Sequence, residues 1–112
     1  MSEQIEKLIH EWRSSVDDYA KAKADQVYLT EYRKSKKAIL EKEAAKEGLK
    51  TGQERESYAY SHKEYLEVLD GLREATEKAE GLRYRMKIAE ERVNVWRTKQ
   101  ANGRREQNQY GA

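Results

Sequence analysis

Apolar side chains in the second half of the chain recur at alternating steps of three and four residues. The twelve positions are Tyr58, Ser61, Tyr65, Val68, Leu72, Ala75, Ala79, Leu82, Met86, Ala89, Val93 and Trp96. Eleven of them are apolar or aromatic, and we call the twelve positions the seam. This spacing is the heptad pattern of a coiled coil, and it persists for more than five heptads. The pattern predicts one long helix over about 52–102.

The first half of the chain carries a similar but less regular stripe, which predicts a helix over about 3–47. Its first part is Ile5, Leu8, Ile9, Trp12, Val16 and Tyr19. Its second part is Ala22, Gln26, Leu29, Tyr32 and Lys36, leading to Ile39 and Leu40. Polar residues at such positions commonly set the register or the number of partners at a cost in stability.

A turn is predicted at about 48–52, between the two helices. Gly48 suits the left-handed position that ends many helices, and Thr51 followed by Glu54 matches a capping box at a helix start. A short turn makes the two helices antiparallel neighbours, paired so that the numbers of facing residues sum to about 101. This register places Trp12 near Ala89 and Val93. The predicted fold is all-α: a single domain over 1–102, built as a coiled-coil hairpin of two long helices, followed by a polar flexible tail over 103–112.

Composition favours long helices and self-association. Ala, Glu, Lys, Leu and Arg make up more than half of the 112 residues, as in coiled coils. Leu, Ile and Val number only 17, too few for a broad core, and the long periodicity argues against disorder. Several apolar residues fall outside the strict seam, namely Tyr28, Leu66, Leu69, Ile88 and Val95. Their burial would require a homodimer that forms a four-helix bundle, or a partner protein.

The chain lacks the usual signs of secretion, membrane insertion and thiol chemistry. Cysteine is absent, which excludes disulfides and thiolate metal sites. The sequence contains no run of about 18 apolar residues, so no membrane span is predicted. The N-terminus has no apolar signal core. A cytoplasmic protein is therefore expected.

The basic segment NVWRTKQANGRR (94–105) admits two interpretations. In heptad terms Arg85, Arg92 and Lys99 occupy g positions, while Arg83 and Arg97 occupy e positions, and these positions flank the seam. The acids predicted to lie opposite are Glu3, Glu6, Glu11, Asp17 and Asp18, so the favoured interpretation is charge pairing between helices. The alternative is a nucleic-acid-binding surface that uses Arg97, Lys99, Arg104, Arg105 and the cluster RKSKK (33–37). Glu64 and Glu67 are predicted to lie opposite the cluster RKSKK, which favours a solvated face there. A net charge of only +2 also disfavours nucleic acid.

Residues for protein contacts are easier to nominate than residues for catalysis. The nominated seam residues are Trp12, Tyr19, Leu29, Tyr58, Tyr65, Leu72, Leu82, Met86, Val93 and Trp96. The nominated partner contacts are Tyr60, Arg97, Lys99, Arg104 and Arg105. Tyr60 points off the seam, and tyrosine is enriched at interfaces. His10 and His62 are far apart in a hairpin, and there is no glycine-rich phosphate loop, so no enzyme, cofactor, metal or small-molecule substrate is expected.

The stretch from Ala89 to Arg104 resembles a block found in small bacteriophage and prophage proteins. That block has the pattern A-E-x-x-(I/V)-x-V-W-R-T-x-Q-A-N-x-R, matched here by Ala89, Glu90, Val93, Val95, Trp96, Arg97, Thr98, Gln100, Ala101, Asn102 and Arg104. The resemblance implies a phage origin, a bacterial host cytoplasm and a small accessory role, and it implies no catalytic residues. A partner would then be a phage recombination or replication protein, or a host defence factor.

Overall fold

The chain is all-helical throughout the part that the structure describes. A computed structural model describes the backbone of residues 2–110 and the side chains of residues 3–108. It contains α1 (Ser2–Lys46), α2 (Gly52–Ser61) and α3 (Lys63–Tyr110), with no strand in that range. The predicted all-α class is confirmed, and the long uninterrupted α1 agrees with the absence of proline.

The turn between α1 and α2 has the left-handed Gly48 and the Thr51 cap that the sequence predicted, while the return hydrogen bond from the Glu54 carboxylate that completes a capping box is absent among the described residues. Gly48 has a φ of 97°, its N–H donates to the Ala45 carbonyl, and the Leu49 N–H donates to the Ala44 carbonyl. These two bonds form a Schellman motif, which satisfies carbonyls at the end of α1. At the start of α2, the Thr51 hydroxyl accepts a hydrogen bond from the backbone N–H of Glu54, 3.1 Å away.

The single long second helix predicted from the seam is wrong, because the helix is interrupted at His62. This residue has an extended backbone (φ −68°, ψ 138°), and its N–H donates to the Ala59 carbonyl at the end of α2. Its ring Nδ1 accepts from the backbone N–H of Glu64, and its carbonyl accepts from Leu66 at the start of α3. His62 therefore ends one helix and caps the next, a role more often filled by serine or aspartate.

The predicted flexible tail is also wrong as far as the structure describes it. Helix α3 continues past residue 102 to Tyr110, and residues 111 and 112 lie outside the described range. Gly103 costs a helix about 1 kcal/mol relative to alanine. The following Arg104, Arg105, Glu106 and Gln107 are good helix formers, which accounts for the continuation.

The chain divides into two compact units. Unit 1 comprises Met1–Ala20 and Glu80–Ala112, and unit 2 comprises Lys21–Ala79. In unit 1, parts of α1 and α3 pack on each other around buried Leu8, Ala89 and Val93. An ion pair of 2.7 Å between Glu11 and Arg92 lies within two residues of the predicted antiparallel register.

Unit 2 joins the remainder of α1 to α2 and the first part of α3. Its apolar cluster contains Leu40, Ala59 and Tyr65, with Leu69 packed against it. Three polar pairs report the register: Gln26 to Thr76 at 3.1 Å, Lys36 to Glu64 at 3.0 Å, and Tyr58 to Glu43 at 3.2 Å. Each pair lies within one residue of the predicted antiparallel register.

Burial follows the predicted seam closely in the second half of the chain and less closely in α1. Eleven of the twelve seam residues are buried or half-buried, and the exposed one is Ser61, beside the interruption. In α1 the predicted stripe through Val16, Tyr32 and Ile39 is wrong, since all three side chains are exposed. After Leu29 the inward positions are Arg33, Lys36 and Leu40, because the chain takes a step of four residues there instead of three.

Candidate interaction surfaces

The seam residues nominated from the sequence lie inside their units, where they serve packing. Tyr65 and Val93 are buried. The half-buried members are Trp12, Tyr19, Leu29, Tyr58, Leu72, Leu82, Met86 and Trp96. Most of this set consequently has little surface left for a partner. The two tryptophans are different, because each also lines an open groove of unit 1.

The nominated partner contacts are all exposed, and they fall in two different units. Tyr60 belongs to unit 2, whereas Arg97, Lys99, Arg104 and Arg105 belong to unit 1. The Tyr60 ring meets the Tyr65 ring edge-on at 5.3 Å, and the Lys37 ammonium lies 4.6 Å from its centre. Tyr60 is thus partly engaged within its own unit.

Among the described cations in and just before the basic segment 94–105, pairing between helices accounts for Arg92 alone. Arg92 donates to Glu11 across the two helices of unit 1, as the favoured interpretation predicted. Arg83 instead pairs with Glu80 along its own helix. Within residues 3–108, Arg85, Arg97 and Lys99 make no ion pair, so the pairing predicted for them is absent there.

The cluster RKSKK is spread around α1 and largely satisfied by neighbouring acids. Lys34 contacts Glu31 one turn earlier, and Lys36 bonds to Glu64, as predicted. Glu67, also predicted to face this cluster, is 4.0 Å from Lys63 instead. The cluster does not form a continuous basic stripe.

A polar cluster that the sequence did not predict surrounds the interruption at His62. Ligand-type atoms of Glu43, His62 and Glu64 lie within 4.8 Å of one another. Each already has a protein donor: the Tyr58 hydroxyl for Glu43, the Glu64 amide for His62, and the Lys36 ammonium for Glu64. The Lys36 ammonium lies 3.0 Å from the Glu64 carboxylate, and its positive charge opposes the binding of a cation there. The arrangement therefore serves capping and ion pairing.

Three groups in and around this cluster have pKa values shifted by their surroundings. The hydrogen bond from Lys36 lowers the pKa of Glu64, and the same bond raises the pKa of Lys36. Partial burial, followed by the nearby Glu43 carboxylate, raises the pKa of the Tyr58 hydroxyl. All three shifts favour the protonation states already present at neutral pH. The predicted register places Glu43 opposite Tyr58, but no sequence signal marked His62 as a cap.

Unit 1 has an exposed apolar row on one side of α3. The row consists of Tyr84, Ile88 and Val95, and we call it the α3 row. Ile88 is 60% exposed and Val95 is 44% exposed. Their spacing of four and seven residues places them on the same side of a helix. Beside the row runs a groove, groove 1, lined by Gln4, Leu8, Ile88, Glu91, Arg92, Val95, Trp96 and Lys99.

Both units carry further apolar surfaces among the described residues. Groove 2 of unit 1 is lined by Ile9, Trp12, Arg13, Val16, Asp17 and Arg97. In unit 2 an exposed row on α1, which we call the α1 row, consists of Tyr28, Tyr32 and Ile39. The rings of Tyr28 and Tyr32 stack with their centres 6.0 Å apart, so these two residues already cover part of each other.

Comparison with known proteins supplies no relative from which a function could be transferred. No protein-family model, no curated protein and no solved structure matches the chain. Within the described range, no helix combines the length and the apolar character that crossing a membrane requires. Functional inference for this chain consequently rests on its own surfaces, contacts and charges.

Proposed function

We propose that the protein is a non-enzymatic accessory protein that acts through protein–protein contacts. In this proposal its helices form a coiled-coil hairpin that self-associates, with a four-helix bundle as the dimeric product. The observation that carries the proposal is the alignment of exposed apolar side chains into rows, above all the α3 row. Single exposed apolar residues are ordinary, whereas a continuous apolar surface marks an interaction site.

The energetic argument concerns side chains that the isolated chain leaves in water. Full burial of an isoleucine or valine side chain contributes about 1.5–3 kcal/mol. Ile88, Val95 and Ile39 each remain close to half exposed or more, so each retains a large part of that free energy for an intermolecular contact. Contacts with another helical surface would recover it in the helix-packing mode of recognition.

A role in a bacteriophage or prophage belongs to the same proposal. It is supported by the V-W-R-T-x-Q-A-N-x-R block, which begins at Val95. Under this proposal the protein works in the cytoplasm of a bacterial host. Its partner, apart from a second copy, would be a phage recombination or replication protein or a host defence factor.

Self-association is tested by measuring molar mass over a range of protein concentrations. Light scattering or sedimentation equilibrium should give a mass near twice the 13.2 kDa of one chain at high concentration, falling towards one chain on dilution. The measurement should include solutions of about 0.5 M salt, because an apolar interface persists where charge attraction is screened. A mass of one chain at every concentration would refute the self-association.

A second proposal, nucleic-acid binding, is favoured by one specific observation. Because α3 continues to Tyr110, Arg97 and Arg104 are seven residues apart on the same side of one helix, with Arg105 adjacent. Lys99 lies on the opposite side. A gel-shift titration with DNA and RNA at about 50 mM salt tests this proposal, since phosphate contacts are strongest at low salt. It is supported if a shift appears and weakens in an Arg97→Ala/Arg104→Ala variant, and rejected if no shift appears.

A further inference from the structure

We infer that the α3 row and groove 1 together form the contact with a second copy of this chain. The inference rests on the proposed self-association and specifies the surface that carries it. Two copies related by a two-fold axis present the same patch to each other, so the patch must be complementary to itself. A surface that combines a ridge and an adjacent groove can meet this condition.

The α3 row and groove 1 have this combination. Ile88 and Val95 project from α3 as exposed side chains, and they also form one wall of groove 1. The other wall includes Leu8 of α1, and the half-buried Trp96 lines the same groove. A two-fold operation can therefore place the row of each copy against the groove of the other, and both contacts bury aliphatic or aromatic surface.

The charges around groove 1 suit an identical partner better than a strongly charged one. Arg92 is already paired with Glu11 at 2.7 Å, which leaves Glu91 and Lys99 as the remaining charges of the lining. One negative and one positive charge leave no excess of either sign. Lys87, 5.6 Å from the centre of the Tyr84 ring, adds one positive charge beside the α3 row. Since identical surfaces bring equal net charges together, the balanced lining avoids within the groove itself the repulsion that opposes self-association.

The competing surfaces are less suited to contact a second copy. The lining of groove 2 carries Arg13, Asp17 and Arg97, so two copies would bring a net positive charge on each side together. The α1 row carries Tyr28 and Tyr32, whose hydroxyl groups tolerate water and whose rings already stack. The α3 row contains one tyrosine, Tyr84, and two aliphatic side chains, Ile88 and Val95, whereas the α1 row has a single aliphatic side chain, Ile39. The exposed surface of the α3 row is therefore the less favourable of the two in water.

A matched pair of charge substitutions separates the two rows. Ile88→Asp places a carboxylate in the proposed contact, and Ile39→Asp places one on the α1 row, where the native side chain is 54% exposed. We expect Ile88→Asp to raise the dimer dissociation constant roughly 30-fold or more, as the loss of a central apolar contact does. Ile39→Asp should leave it within about 3-fold of the native value. Circular dichroism of both variants checks that helix content is retained.

Thiol protection gives a second measurement, and it introduces no charge into the proposed contact. The native chain has no cysteine, so Ile88→Cys and Ile39→Cys each introduce a single reporter thiol. The thiol at position 88 should react with a maleimide at least about 10-fold more slowly at concentrations where the dimer forms than after dilution. The thiol at position 39 should react at the same rate in both conditions.

The possible outcomes distinguish the surface from the function. If the native chain dimerises while Ile88→Asp dimerises equally well and the thiol at position 88 stays reactive, the surface is wrong but self-association stands. Equal weakening by both aspartate variants, or protection at position 39 alone, would also overturn the assignment. A native chain that remains monomeric would reject the surface together with the self-association.

Discussion

Replacing Leu40 by alanine tests the packing of unit 2, because this side chain is 0% exposed and lies in the Leu40, Ala59 and Tyr65 cluster. The substitution removes three carbon atoms. At about 0.8 kcal/mol for each buried methylene-sized group, the lost transfer free energy is about 2.4 kcal/mol. The space left behind adds to this, and buried leucine-to-alanine substitutions commonly cost about 3–5 kcal/mol. We therefore expect the free energy of unfolding to fall by about 3 kcal/mol.

The neighbouring residue provides the control for this prediction. Ile39 has a similar volume but is 54% exposed, so alanine there forfeits about half the transfer free energy and leaves no enclosed cavity. The better helix propensity of alanine offsets part of that loss. We expect Ile39→Ala to cost about 1 kcal/mol or less, leaving a difference of about 2 kcal/mol between the two variants.

The assay is urea unfolding followed by circular dichroism, with all proteins at one concentration so that any association contributes equally. With a slope of about 1–2 kcal/mol per molar urea, the midpoints of the two variants should differ by about 1–2 M. Equal midpoints would refute the burial argument. A lower urea midpoint for Ile39→Ala than for Leu40→Ala would indicate that Ile39 is the more buried side chain, as the stripe through Tyr32 and Ile39 predicted from the sequence requires.

Two further predictions concern the interruption and its polar cluster. His62→Ala should lower the free energy of unfolding by about 1 kcal/mol, because the backbone N–H of Glu64 loses its cap. His62→Asn keeps a hydrogen-bond acceptor, so it should retain most of that roughly 1 kcal/mol in the same urea assay. Equal losses in the two variants would show that the His62 ring does not cap α3. Because Lys36 lowers the pKa of Glu64, the pair contributes stability above the unfolded pKa of Glu64 and loses it as the pH falls through the lowered folded pKa. Lys36→Met should therefore have a lower urea midpoint than the native chain near pH 7, and this difference should shrink on acidification to about pH 3. A difference in midpoint that does not depend on pH would contradict the stabilising role of the ion pair.

The elements that could be predicted from sequence are those with a long or redundant signal. The seam repeats the same information over five heptads, so eleven of its twelve members are buried or half-buried despite the interruption. The turn was predictable because Gly48 and Thr51 are residue types whose backbone chemistry the site requires. The register followed from the position of the turn, and pairs such as Gln26 with Thr76 confirm it in unit 2.

The elements that were missed depend on a single residue or on a local choice. His62 caps a helix with a ring nitrogen, and neither glycine nor proline marks the site. Arg33 takes an inward position that the sequence assigned to Tyr32, because the aliphatic stem of an arginine can lie along apolar surface. Its Nε is buried without a hydrogen-bond partner among the described residues. Pairing of Arg97 and Lys99 was expected from heptad positions, which do not specify whether an acid lies within reach.

The brevity of α2 has a consequence for amide hydrogen exchange. With 10 residues, α2 is shorter than the roughly 12–15 residues at which an isolated helix becomes even marginally stable in water. Its helical state therefore depends on its contacts with α1 through fully buried Ala59 and the Tyr58–Glu43 hydrogen bond. Amide protons of residues 52–61 should exchange whenever those contacts open, well before the middle of the 45-residue α1 does. The exchange rate of this one short helix thus reports the docking equilibrium within unit 2.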